Sequence, residues 1–192
     1  MDLIKVIFLG ASGVGKTCIV QYAVSNMYDD FSSPTIGAAN TTISVKNSKG
    51  ISVKFALMDT AGQEKYRSLV PIYFRNAQVA ILVYDISDLR TLDDLNEFHE
   101  ILRSNAPPNI ITILVGAKCD LEDKREVPFE QGQRYAKDIN AQLFVETSAK
   151  NGIGIKELMR TIADDERLIR EDENDILNRF QIGSDIPKRK CC

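Results

Sequence analysis

Residues Gly10-Ala11-Ser12-Gly13-Val14-Gly15-Lys16-Thr17 fit the pattern G-x-x-x-x-G-K-[ST], and they follow directly on an apolar run at 3–9. Glycines at those spacings let the main chain wrap closely round an anion, so that successive amide protons and the start of the next helix face one negative charge. Lys16 adds a full cation at the outer phosphates, and the Thr17 hydroxyl can ligate Mg²⁺. A turn that merely joined strand to helix would not need lysine and threonine in register behind the last glycine. The chemistry indicated is a nucleoside triphosphate bound with Mg²⁺, with Ser12, Gly13, Val14, Gly15, Lys16, Thr17 and Cys18 as its cradle. Other chemistries lack their parts. His99, the single histidine, falls on a helical stretch away from every motif, so no triad can be built on it. Cys18 and Cys119 have no metal-ligand spacing and read as small packing residues.

The loop needs a strand before it and a helix after it, and the rest of the chain repeats that alternation. Apolar runs at 3–9, 77–83, 110–115 and 143–145 read as buried parallel strands. Helical spacing occupies 16–26, 92–104, 129–140 and 155 to about 170, and Pro107 and Pro108 stop the second of these. Such alternation implies an α/β sheet covered on both faces. Residues 41–46 and 51–55 instead alternate polar with apolar around Asn47, Ser48, Lys49 and Gly50, which predicts a hairpin and one antiparallel edge strand. The expected architecture is a P-loop three-layer sandwich with a six-stranded, mostly parallel sheet over 1–170. Residues 171–192 read as a flexible tail, because the apolar period fades into acids, a Gly-Ser pair and a basic cluster.

Composition narrows the class further. The 192 residues carry 24 basic and 27 acidic side chains, a net charge of 24 − 27 = −3, which speaks against a dedicated nucleic-acid binder. With 44% hydrophobic residues, a chain of this size buries roughly 70% of its unfolded surface and needs no disulfide staple. No run approaches the roughly 18 apolar residues of a membrane span. Cysteine usage fits a reducing, cytosolic setting.

Further segments choose among kinase, ATPase and GTPase. Asp59-Thr60-Ala61-Gly62-Gln63-Glu64 follows the 51–55 strand, Ala117-Lys118-Cys119-Asp120 the 110–115 strand, and Thr147-Ser148-Ala149-Lys150 the 143–145 strand. With Pro34-Thr35-Ile36-Gly37, this ordered set resembles the Ras-like small GTPases over residues 1 to about 170. Tyr66-Arg67-Ser68-Leu69, Tyr73-Phe74-Arg75-Asn76-Ala77 and the terminal cysteine pair are similar to the Rab branch, and Thr35-Ile36-Gly37-Ala38-Ala39 and Ala77-Gln78-Val79-Ala80 to its endosomal members. The resemblance implies a GTP/GDP switch in vesicle trafficking. Thr17, Thr35 and Asp59 would serve Mg²⁺, Lys16 and the Gly62 amide the γ-phosphate, and Gln63 would orient the attacking water. Asp120 would accept the guanine donors, while Lys118, Tyr28, Ser148, Ala149 and Lys150 would complete the base site. A switch of this kind implies an exchange factor, a GTPase-activating protein, effectors, a prenylation escort and a GDI-like protein around a monomer. An ATP-dependent kinase is disfavoured, since no acceptor site or second-substrate lid is visible.

Departures from the pattern open a second reading, a nucleotide-binding membrane adaptor that holds GTP weakly. Ala117 stands where the family has asparagine, whose amide bridges the base and the phosphate loop. Its loss costs about 1–3 kcal/mol with guanine preference intact. Ser12 replaces a glycine of Ras but is usual in Rab-like chains. Asn40 and Met58 replace two of three partner-facing aromatics, of which Tyr73 remains, so interface anchors are gone and the partners of other Rabs do not transfer. Lys188-Arg189-Lys190-Cys191-Cys192 is not a C-a-a-X box, and the resemblance implies geranylgeranyl groups on Cys191 and Cys192. Two lipids with adjacent cations would anchor the chain on the cytoplasmic face of endosomal membranes. The bridge argument predicts that Ala117→Asn slows GDP release ten- to a hundredfold, on the order of 1–3 kcal/mol. Release measured with a fluorescent GDP and found unchanged would contradict it.

Overall fold

A computed structural model describes residues 3–29, 35, 37–60, 74 and 76–169. The first apolar run forms β1 (Ile4–Leu9), and the loop behind it opens α1 (Lys16–Ser25). The hairpin comprises β2 (Ala38–Lys46) and β3 (Ser52–Thr60). Then come β4 (Val79–Asp85), α2 (Leu89–Asp93), α3 (Leu95–Asn105), β5 (Ile111–Ala117), α4 (Phe129–Asp138), β6 (Leu143–Thr147), α5 (Ile155–Ala163) and α6 (Glu166–Ile169). The sheet has six strands in the order β2-β3-β1-β4-β5-β6. Only the β2–β3 pairing is antiparallel, and it places the hairpin at one edge as the alternating pattern predicts.

Successive strand side chains point to opposite faces, and each face has its own core. Val6, Phe8, Ile81, Val83, Ile113 and Val115 pack with Ile19 and Val20 of α1 and Ile155, Leu158 and Ile162 of α5. Ile7, Leu9, Leu82, Tyr84 and Leu114 pack on the other face with Leu92 of α2, Leu95, Phe98 and Leu102 of α3, and Ala136 of α4. Burial on both faces explains why the parallel strands read as unbroken apolar runs. The parallel arrangement also sends the loops after β1, β5 and β6 to the same end of the sheet, where α/β folds place ligands.

Three elements differ from the periodicity. The hairpin strands run on to Ala38 and Thr60, so Asp59 lies inside β3 and not after it. The helix expected at 92–104 begins earlier and is broken at Asp94, while Asp88 starts α2 by accepting the Arg90 amide. Its end agrees with the prolines: Ala106, with ψ of 158°, is already extended before Pro107. The helix expected from 155 to about 170 is split by Asp164 and Asp165. Asp164 accepts both the amide and the hydroxyl of Ser48 at 2.7 Å, and Asp165 accepts the Arg167 amide, a local bond that competes with continued helical backbone bonding. The tail expected at 171–192 lies outside the described residues. Among the described residues no helix is long and apolar enough to cross a membrane.

Gly154 precedes α5 with φ of 74°, and a Cβ there would stand 2.7 Å from the Glu146 carbonyl oxygen. Left-handed backbone and a clash with main chain both oppose a side chain. Gly154→Ala is expected to destabilise the domain by about 2–4 kcal/mol, read as a lower urea midpoint with unchanged slope. An unchanged midpoint would contradict it.

Candidate functional site

Gly10 leaves β1 with φ of 143°, and any Cβ there would run into the Val83 carbonyl oxygen, so only glycine lets the loop turn this closely over β4. Gly15 ends the loop in a left-handed conformation (φ 108°) and caps α1 without a side-chain acceptor, and no acidic residue occupies the first turn. The first amides of the helix thus lack a side-chain cap, and the positive end of the dipole is open to an anion. Lys16 is only 5% exposed, and its Nζ donates to the Gly10 and Ala11 carbonyls at 2.9 and 2.7 Å. Burial lowers its pKa to about 8, against the opposing pull of the Asp59 carboxylate. It stays mostly protonated at neutral pH, a desolvated ammonium held by two carbonyls of its own loop. Ser12 and Gly13 are exposed on the loop and Val14 is buried beneath it.

Thr17, Thr35 and Asp59 come from α1, the loop before β2, and β3, yet they converge. Both hydroxyls donate to Asp59 Oδ2, at 2.7 and 2.8 Å, and lie 2.9 Å from each other. Asp59 Oδ1 is buried without a hydrogen-bond partner among the described residues. One carboxylate and two hydroxyls make an all-oxygen set with an unused acceptor. That suits Mg²⁺, which keeps waters and takes phosphate oxygens instead of a full protein cage. Consistent with this, no cluster of three or more His, Cys, Asp or Glu among the described residues could hold a metal.

Beside the loop lies a cavity of about 140 Å³ lined by Gly15, Cys18, Tyr28, Ala117, Lys118, Asp120, Ala149 and Lys150 among others. Ser148 is fully buried and does not line it. Its hydroxyl donates to Asp120 Oδ1 at 2.5 Å and accepts the Asn151 amide, which fixes the carboxylate's orientation. Lys118 takes a left-handed φ of 63°, and its Nζ meets Asp85 Oδ2 at 2.7 Å. Asp85, only 7% exposed, is held by the amide and hydroxyl of Ser87. Sequence reading missed Asp85, although an acid ending an otherwise apolar strand is a signal worth following. Cys119 sits between Lys118 and Asp120, which line the cavity, without lining it itself. Burial, with Glu146 and Asp120 adding, raises its thiol pKa, while Arg125 opposes the shift. Gly62, Gln63, Tyr66, Leu69, Tyr73, Cys191 and Cys192 lie outside the described residues. Asn40 and Met58 face each other directly across β2 and β3, Asn40 exposed and Met58 half-buried.

A comparison with family profiles matches the Ras family over residues 5–167. The chain is 42% identical to the human Ras-related protein Rab-22A and 41% identical to the mouse protein. Each match covers 98% of this chain and 97% of the relative. It is 40% identical to the rat Ras-related protein Rab-31, with the same coverage. The chain belongs to the Ras family of small GTPases, the class that binds GTP and GDP with Mg²⁺ and hydrolyses GTP.

The lowered pKa of Lys16 makes stability depend on pH. The unfolded lysine binds its proton more tightly than the folded one, so stability rises with pH between about 8 and 10.5. Nucleotide-free protein is expected to gain up to about 3 kcal/mol across that window relative to Lys16→Met. Urea unfolding of both proteins at several pH values checks this, and parallel profiles would contradict it.

Proposed function

We propose that this chain is a Rab-type switch of vesicle trafficking, in which the loop from Gly10 to Thr17 holds the phosphates of GTP or GDP and the Asp120 cavity holds guanine. The observation that carries the reading is the convergence of Thr17 and Thr35 on Asp59 next to the buried Lys16 ammonium. Thr17, Thr35 and Asp59 would hold Mg²⁺, which would supply positive charge beside the outer phosphates. Lys16 and the α1 amides supply preorganised positive charge where negative charge develops during transfer. Thr35, on a loop that reaches the site from outside the helix, registers whether the γ-phosphate is present, as does the Gly62 amide. Gln63 positions the attacking water. Asp120, oriented by Ser148, accepts from the two donors that guanine has and adenine lacks, so an adenine nucleotide leaves a carboxylate unpaired and is rejected.

Positioning alone gives slow chemistry, so turnover waits on a GTPase-activating protein and reloading on an exchange factor. Effectors read the GTP state, and prenylation of Cys191 and Cys192 by an escorted transferase, with a GDI-like protein for retrieval, would place the chain on the cytoplasmic face of endosomal membranes. The basic stretch before those cysteines and the kinship with Rab-22A and Rab-31 support that part.

Single-turnover hydrolysis of GTP by the isolated protein is expected at a rate on the order of 10⁻³ s⁻¹ or below, falling at least tenfold in Gln63→Leu while GTP binding persists. Equal rates in the two proteins would contradict the role of Gln63, and no hydrolysis by either would identify a nucleotide-binding adaptor with no turnover of its own.

A further inference from the structure

The loop that follows β6 is closed on itself. The Ser148 amide donates to the Ile153 carbonyl at 3.1 Å, and the Ile153 amide donates to the Ser148 carbonyl at 2.9 Å. The Asn151 amide donates to the Ser148 hydroxyl at 3.1 Å, and that hydroxyl donates in turn to Asp120 Oδ1. Ala149 and Lys150, inside the same loop, line the base cavity. Because these bonds tie the loop to itself and to Asp120, a shift of its tip at Gly152 carries Ser148, and with it the carboxylate's orientation.

Tyr22 reaches that tip from the phosphate side of the site. It lies on α1 four residues after Cys18, hence on the same side of the helix, and Cys18 lines the cavity whereas Tyr22 does not. The space that a Cβ of Gly152 would need is filled by the Tyr22 hydroxyl and the edge of its ring. The missing side chain at Gly152 thus lets the ring meet the loop backbone directly. Tyr22 and Ala149 also pack on one buried cluster, which includes Ile19 of α1 and Ile155 of α5. Since α1 begins with Lys16 and Thr17, a single helix carries phosphate-side residues at its start and this contact further along. Ala117 adds no hydrogen bond between the two sides: its methyl would lie 3.7 Å from a Cβ of Gly15, an apolar contact only.

Resting on the guanine reading above, we infer that Tyr22 is a positioning residue for base selection. Its ring braces the 148–153 loop against α1, and through Ser148 it fixes the Asp120 carboxylate relative to the phosphate loop. A carboxylate held in place discriminates by the donors that reach it, and one free to shift does so less well. Losing the ring weakens the grip on the guanine donors and leaves the phosphate contacts in place.

Competition against a fluorescent GDP, on full-length protein with Mg²⁺, tests this with GDP and with IDP, which keeps the phosphates and the N1–H but lacks the amino donor. The preference for GDP over IDP reads the Asp120 contact apart from overall binding. Tyr22→Ala is expected to weaken GDP by about tenfold or more and to lower the preference by about threefold or more. Tyr22→Phe, which keeps the ring, is expected to stay within about threefold of wild type for both nucleotides. In a Ser148→Ala background, where the link to Asp120 is already cut, Tyr22→Ala is expected to leave the preference within about twofold. Equal losses for GDP and IDP would make Tyr22 a general packing residue and overturn the inference. An unchanged preference, or a full loss of preference in the Ser148→Ala background, would overturn it equally. Should Tyr22→Ala not fold, Tyr22→Leu decides by the same criteria. Wild-type protein that binds GDP and IDP alike would overturn the guanine reading itself, a result distinct from these.

Discussion

An ammonium group taken out of water must be met by negative charge, and Lys16 is 5% exposed with two carbonyls of its own loop as its close partners. Desolvating a charge costs several kcal/mol, which two neutral carbonyls return only in part. Asp59 is the nearby carboxylate, but its Oδ2 is already shared by the Thr17 and Thr35 hydroxyls. The loop is thus electrostatically incomplete as a piece of protein and complete with a polyphosphate in it. Much of the remaining architecture serves to hold this arrangement in place.

The sheet order explains how. β1 and β3 are parallel neighbours, with Phe8 paired to Asp59, so the strand that launches the phosphate loop also delivers the carboxylate. β4 runs along the other side of β1, and its Val83 carbonyl sets the floor on which Gly10 turns. β5 and β6 end in register at Ala117 and Thr147, which brings the Asp120 and Ser148 segments together as one corner beside the cavity. Three pieces of chemistry with little sequence proximity meet because parallel strands all end on the same side. Lys118 joins that corner through Asp85 at the end of β4, so even the cation at the base site is tied back to the sheet.

Much of this was legible in the amino-acid sequence, for physical reasons that differ from place to place. The phosphate loop announces itself because its glycines, lysine and threonine are each required by local geometry within eight consecutive residues. The buried strands are legible because burial on both faces removes polar residues entirely. Helix continuity was not: Asp94 and the Asp164–Asp165 pair interrupt apolar periods that otherwise continue, and Asp164 also meets Ser48, 116 positions away, a contact that no local window contains. Asp85 escaped notice for the same reason, since its role depends on Lys118 across a strand pairing. The extension of β3 through Asp59 was hidden because a functional carboxylate near the end of a strand breaks the pattern by which strands are recognised. Ala117 was visible as a departure, but the contact of Tyr22 with Gly152 emerged only from the fold.

The account stands on the claim that the Lys16 loop and the Asp120 corner together hold a guanine nucleotide with Mg²⁺. Calorimetric titration of protein stripped with a chelator, using GDP and then ADP in the presence of Mg²⁺, measures both halves of that claim at once. The account predicts saturable heat with GDP and none with ADP at the same concentrations. No heat with GDP, or equal heats with both, would contradict it.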